Sequence, residues 1–306
     1  MIHNYSYKPE PEIGYKNDRE SREHLTFGVE LECEPRNDGG NIRMEAYELS
    51  DRIDEIPGGR TYCKSDGSLS NGVEIVSHPG TLAHHMYAMH WRQIQRTCEK
   101  AGFRSHDAAN SGLHVHVGRA QLGSTDAERN DVTRKVQVLF ALYTAELTRF
   151  SRRRRSCLEQ WAPINGLGTT PDAIRHVSSG SRLASWAFTH VPAYRSNHND
   201  RYTAVNVTNS ATVEIRIFRG TLKRDTLIAA IQLVSNVFEY AMAHDWADIP
   251  ASTWADVAAY KPHKELVNYM IARGLLDADA APETLPASNR PSDFYGVDGI
   301  ARPAHA

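Results

Sequence analysis

Hydrophobic and polar residues alternate strictly over several short stretches of this 306-residue chain. In FGVELE, Val29, Leu31 and Cys33 fall on one side of a strand and Glu30 and Glu32 on the other, because side chains at i and i+2 share a face. The same alternation runs through NGVEIVSHP with Glu74, SGLHVHVG with His114 and His116, and TVEIRIFRG with Glu214 and Arg216. It predicts strands over residues 25–34, 60–64, 72–77 and 113–117, and a hairpin from residues 202–208 and 212–218. Apolar residues at helical spacing predict helices over 43–53, 82–101, 127–150, 225–242 and 264–273. Paired strands separated by long helices give an α+β fold class: a mainly antiparallel curved sheet with helices packed on one face and the other face left for ligands.

The polar stretch over residues 1–24 reads as a flexible arm, residues 25–275 as a single catalytic domain, and the Ala- and Pro-rich residues 276–306 as a mobile tail. Residues 157–200 are long for a structureless connection and read as a lid or substrate loop, with Trp161, Trp186 and Tyr194 as lid packing or as substrate stackers. The formal net charge of −2 gives no global field for nucleic acid or an anionic membrane. Four scattered cysteines without a CxxC pair suit a reducing compartment and argue against a zinc site. The absence of any run of 18 apolar residues supports no signal peptide or membrane span, so a cytoplasmic location is expected.

A strand face that carries carboxylate, imidazole and guanidinium is an odd surface unless something ionic covers it. The residue types suit magnesium or manganese, with phosphate beside them. Arg216, Arg219 and Arg201 offer permanently charged, planar donors for phosphate or carboxylate oxygens. No GxxxxGK[ST] and no GxGxxG is present, so a nucleotide would rest on the sheet rather than in a glycine-rich loop. Read singly, each motif has a plainer meaning. Glu30 with Glu32, and Glu214 with Arg216, are what a solvent-facing strand or a cross-strand ion pair would also show. Asp66 in an Asp-Gly pair reads first as a turn residue. Residues 152–155, four arginines in a row, read first as a solvated helix end, with contact to RNA or an anionic substrate as the alternative.

FGVELE, SDGSLSNGVEIVS, SGLHVHVG and the pairing of RYTAVNV with TVEIRIFRGT, in that order, resemble the amidoligase family of carboxylate-amine ligases, which shares the glutamine synthetase and glutamate-cysteine ligase fold. The resemblance spans roughly residues 25–240. It implies an ATP-dependent ligase that makes an amide or isopeptide bond through an acyl phosphate, from small-molecule or peptide carboxylates and amines. By the same resemblance Glu30, His114 and Glu214 would hold one magnesium ion, and Glu32 and Glu74 the other. Arg216 and Arg201 would contact phosphate or substrate, and His116 the nucleotide. A nucleotide- or peptide-binding protein without turnover, a phosphotransferase of the same fold and a metal-dependent hydrolase are the other readings.

Overall fold

The computed structural model describes residues 1–16, 24–35, 45–56, 58, 60–69, 71–106, 111–164 and 167–278. Its nine strands are β1 (Ile2–His3), β2 (Thr26–Pro35), β3 (Thr61–Lys64), β4 (Val73–Ser77), β5 (Gly80–Thr81), β6 (Phe103–Arg104), β7 (Gly112–Gly118), β8 (Val205–Asn206) and β9 (Thr212–Arg219). They form one sheet in the order β1-β3-β4-β2-β7-β9-β8, with β5 and β6 pairing the two ends of β2. Every pair is antiparallel except β1 with β3. The ten-residue β2 is the spine, and the predicted segments fall within a few residues of the observed strands.

One face of the sheet is apolar because the alternation puts Phe27, Val29, Leu31 and Cys33 of β2, Val115 and Val117 of β7 and Ile215 and Ile217 of β9 there, all essentially inaccessible to water. The helices are α1 (Ala46–Asp54), α2 (Trp91–Lys100), α3 (Asp126–Leu142), α4 (Thr144–Ser151), α5 (Arg155–Trp161), α6 (Pro171–Arg175), α7 (Gly180–His190), α8 (Arg224–Ala243), α9 (Trp254–Ala258) and α10 (Lys264–Ala272), of which α1, α2, α4 and α8 pack directly on strands. The twenty-residue α8 sits against β7 and is flanked by α2, α3, α9 and α10. It is long and apolar enough to cross a membrane by length and composition, yet 78% of its apolar window is buried inside the fold, as a core helix requires. Each large aliphatic side chain so buried contributes about 1.5–3 kcal/mol.

The structure differs from the sequence reading at four places. The single helix expected over 127–150 is two, α3 and α4, because Tyr143 breaks the run with φ −109° and ψ 33° while its hydroxyl pairs with the Ser252 hydroxyl at 2.7 Å. The helix expected over 82–101 is a π-helical turn at His84–Ala88 followed by α2. Residues 157–200, read as a lid or substrate loop, hold most of α5, α6 and α7, helices that the sequence pattern did not predict. Residues 1–16, expected as a loose arm, lie along the sheet edge: Ile2 pairs with Cys63, His3 stacks on Tyr7 at 3.6 Å, and Gly14 bridges to Gly80. The expected arm residues 17–23, the first two residues of the helix expected over 43–53 and the tail from 279 onward lie outside the described residues.

Candidate metal and phosphate site

The register of the sheet stacks the polar side chains into three rows across its free face. Asn206, Glu214, His116 and Gly28 are successive partners in the first row. His114, Glu30, Val76 and Tyr62 make the second. Glu32, Glu74 and Lys64 make the third. Four motifs far apart in sequence thereby meet within one small patch. A bulge between β7 and β9 near Leu113 and Val115 interrupts the regular pairing beside His114, and Arg216 stands at it on β9.

The cluster is compact. His114 Nδ1 lies 3.2 Å from Glu30 Oε2 and 3.4 Å from Glu214 Oε1, and its Nε2 lies 3.8 Å from Glu32 Oε1. His116 Nε2 lies 3.2 Å from Glu30 Oε1. Arg216 Nη1 donates to Glu214 Oε1 at 2.5 Å, and Asn206 Nδ2 donates to Glu214 Oε2 at 2.6 Å. The Gly112 amide donates to Glu32 Oε2 at 2.5 Å. A Cβ at Gly112 would sit 3.0 Å from His114 Nε2 and 3.3 Å from Arg153 Nη2, so glycine leaves the room both side chains need. Lys64 Nζ stands 3.4 Å from Glu74 Oε2.

Glu32, Glu74, His114 and Glu214 are each only 3–5% exposed, and carboxylates that deep must be paired, protonated or bound to a cation. Burial pushes the Glu30 carboxyl up, but the facing imidazoles of His116 and His114 outweigh it and hold the group well below the usual carboxylate range. Burial raises Glu214 as well, and Arg216 followed by His116 reverses the sign. Burial lowers the His116 imidazolium, and the carboxylates of Glu30 and Glu214 more than restore it. On the other side of the patch burial prevails. Glu32 is raised by burial despite His114, the Gly112 amide and Arg153. Glu74 is pushed up to about 9 by burial and then by Glu30, against the opposing charge of Lys64.

Three sets of ligand atoms each lie within 4.8 Å of one another: Glu30, His116 and Glu214; Glu30, Glu74 and His114; Glu32, Asp66 and Glu74. The donors are hard oxygens with one imidazole per set at most, a composition that fits magnesium or manganese. Among the buried side-chain atoms that make no hydrogen bond are Glu74 Oε2, His114 Nε2 and His116 Nε2, each facing a charged neighbour, Lys64, Glu32 and Glu30, and each able to ligate a cation. The residues present therefore fit the dications that the sequence resemblance implies.

Above the cluster opens a cleft of about 500 Å³, within the roughly 300–1,000 Å³ of small-molecule sites. Glu30, Glu32, Glu74, His114, Asp66, Arg201 and Arg216 all line it, while Glu214 and His116 stand in the adjoining row of the sheet. Asp66, which the sequence offers as a turn residue or a cofactor contact, stands among the ligand atoms of Glu32 and Glu74, and its Oδ1 accepts from the Ser68 amide at 2.7 Å. Arg219 lies outside the group, for it lines a separate cavity beyond the bulge. Lys64, Tyr5 and Tyr202 also line the cleft and were not singled out in the sequence, and Arg153 of the arginine run joins them. Lys64 is the partner of Glu74 in the next strand. Arg153 donates to the Arg216 carbonyl at 2.8 Å, so the arginine run is no uniform solvated end. Tyr5 accepts from Arg201 Nη1 at 2.5 Å, and Tyr202 accepts from Arg201 Nη2 at 2.8 Å. Lys64 had a signal in the sequence, as the last residue of a predicted strand on the same face as Tyr62, whereas Tyr5 had none.

Fold and site together define a mixed α/β protein with a mostly antiparallel sheet, one face of which gathers carboxylates, imidazoles and guanidinium into a buried ionic cluster. The chain matches no protein-family model and no curated protein. Among solved structures it is similar to a glutamine synthase homologue, at 13% identity and TM-score 0.39, with 81% of this chain and 65% of that chain covered. It is also similar to the complex between the prokaryotic ubiquitin-like protein Pup and its ligase PafA, at 11% identity and TM-score 0.35, with 75% and 50% covered. The chain thus spans about two-thirds and half of these structures' own lengths, and the functional reading rests on the site itself.

Proposed function

We propose that the protein is an ATP-dependent carboxylate-amine ligase that forms an amide or isopeptide bond through an acyl phosphate, with two magnesium or manganese ions at the sheet-face cluster. The observation that supports this reading is the convergence of three oxygen-rich ligand sets at the floor of a cleft whose walls carry Arg153, Arg201, Arg216 and Lys64. Glu30, His116 and Glu214 would hold one ion and Glu32, Asp66 and Glu74 the other, with His114, grouped with Glu30 and Glu74, between them, so that His116 takes the place the resemblance gave to His114. Bound dications supply charge neutralisation for a nucleotide's phosphates and for the phosphoryl group in transfer.

The chain's own groups account for the rest. Arg216 is anchored by Glu214 through Nη1, so its fork is preorganised to meet phosphate oxygens without reorganising during reaction. Arg153 and Lys64 add fixed positive charge on either side of the carboxylates, which keeps anions from being repelled by the cluster. Arg201, with Tyr5, Tyr202 and Trp161 around it, offers a cationic and aromatic wall for the organic part of a substrate. In the reaction the substrate carboxylate takes the terminal phosphoryl group and ADP leaves. The amine then attacks the acyl carbon, its proton goes to solvent or a base, and phosphate leaves.

The test is hydroxylamine trapping. With ATP, magnesium and a panel of amino-acid and peptide carboxylates, an acyl phosphate gives a hydroxamate, and Glu30→Gln/Glu214→Gln lowers its yield about 100-fold or more. ADP without hydroxamate or amide across the panel would point to a phosphotransferase. Product formed without ATP would point to a hydrolase.

A further inference from the structure

The β8–β9 hairpin does more than complete the edge of the sheet, for its side chains turn back onto Glu30, His116 and Glu214. Thr212 opens β9, and its Oγ1 lies 3.2 Å from His116 Nδ1. The other ring nitrogen, Nε2, faces Glu30 Oε1 at 3.2 Å and Glu214 Oε1 at 4.0 Å. Asn206 pairs with Glu214 across the two strands, and its Nδ2 donates to Glu214 Oε2 at 2.6 Å while Arg216 holds Oε1. The amide oxygen of Asn206 accepts from the Thr208 backbone amide at 3.0 Å, so this buried side chain is held at both ends.

The hairpin is itself fixed from inside. Arg119, also buried, donates through Nε to the Asn209 carbonyl at 3.0 Å and the Thr212 carbonyl at 3.2 Å, and through Nη2 to the Val207 carbonyl at 3.3 Å. Its own backbone amide donates to the Ala211 carbonyl at 2.9 Å. Asn209 Oδ1 closes the turn by accepting from the Ala211 amide at 2.8 Å. A buried guanidinium is costly unless its donors are met, and these donors are spent on the backbone of one hairpin. Thr212 and Asn206 are therefore held against His116 and Glu214 by a turn that is braced on both sides.

We propose that Thr212 and Asn206 are positioning residues for a divalent cation at Glu30, His116 and Glu214: Thr212 fixes which nitrogen of His116 meets the cation, and Asn206 fixes the Glu214 carboxylate. A neutral imidazole ligates through the nitrogen that lacks a proton, and the other nitrogen must place its proton on an acceptor. With Nε2 facing the carboxylates of the set, the proton belongs on Nδ1, where the Thr212 hydroxyl accepts it. A carboxylate in that place would raise the basicity of the ring and favour softer metals. A neutral hydroxyl orients the ring without doing so, in keeping with magnesium or manganese. This rests on the reading of the set as a cation site and not on the ligase reaction.

The test is titration of manganese alone into the full chain, followed by the electron paramagnetic resonance of the free ion. Thr212→Val, which keeps the shape of the side chain and removes the hydroxyl, should weaken binding of one ion about tenfold or more, as should Asn206→Ala, and Thr212→Ser should restore it. In the magnesium-loaded chain with isotope-labelled histidine, the His116 resonances, identified by their absence in His116→Gln, should show a proton on Nδ1. That proton should be protected from exchange with water in the wild type and Thr212→Ser and unprotected in Thr212→Val, a change that a general loss of stability with a lower melting temperature would not produce by itself. Manganese bound equally by wild type and Thr212→Val would overturn the inference and leave the cation site standing. A proton on Nε2 in the magnesium-loaded wild type would overturn it as well, and no manganese binding by the folded wild type would overturn it together with the cation site.

Discussion

Glu74 is the residue whose charge depends most on what occupies the cleft. With its carboxyl pushed up to about 9 by burial and by Glu30, it holds a proton at neutral pH that it must surrender to act as a ligand. Binding of magnesium or manganese at pH 7 should therefore release about one proton, and affinity should rise by up to about tenfold per pH unit toward pH 9. Calorimetry in two buffers of different ionisation enthalpy measures that proton, and Glu74→Gln should abolish its release. His85 is the opposite case, a histidine with a structural task. Its Nε2 lies 2.8 Å from the Phe27 carbonyl and its Nδ1 accepts from the Trp91 indole at 3.3 Å, which satisfies the neutral ring at both nitrogens. Burial pushes this imidazole down to about 3. Below the ordinary histidine range the unfolded chain takes up a proton and the native one does not, so stability is lost on acidification between about pH 6.5 and 3, by about 1.4 kcal/mol per pH unit. Urea unfolding at several pH values should show a shallower acid limb for His85→Gln.

At the scale of elements, strict period-two alternation made the strands and their ligand faces legible, because a strand buried on one side has only one register that keeps its apolar residues in the core. Leu31→Ala on the apolar side of β2 should accordingly cost about 2–5 kcal/mol in denaturant unfolding, as a truncation in a tightly packed sheet does. The helix starts were partly written in local chemistry as well. Thr125 accepts from the Glu128 amide while Glu128 returns to the Thr125 amide, a reciprocal cap whose loss in Thr125→Ala should cost about 1 kcal/mol. What the pattern concealed was every feature set by docking between elements. The apolar stripe runs on through Tyr143, and only the distant Ser252 hydroxyl gives a reason for the break. The arginine run gives no hint that Arg152, left-handed at φ 56°, divides it between two cavities. Tyr5 enters the cleft because residues 1–16 lie along the sheet edge, a tertiary contact to which the polar composition of that segment is blind.

For the whole molecule, the division of labour follows from the sheet. Its apolar face and helices form the core, and its other face holds a buried ionic cluster whose carboxylates are set against imidazoles, Arg216 and Lys64. The five candidate ligands were legible as residues, yet their grouping was not, because the 4.8 Å sets cross strands in an order that only the β3-β4-β2-β7-β9 pairing defines. The measurement that meets the central claim most directly is calorimetric titration of a non-hydrolysable ATP analogue with magnesium into the wild-type chain and into Glu30→Gln/Glu214→Gln. The account predicts saturable binding that requires magnesium and weakens about tenfold or more in the variant. No binding to the folded wild type, or binding indifferent to magnesium and to both substitutions, would contradict it.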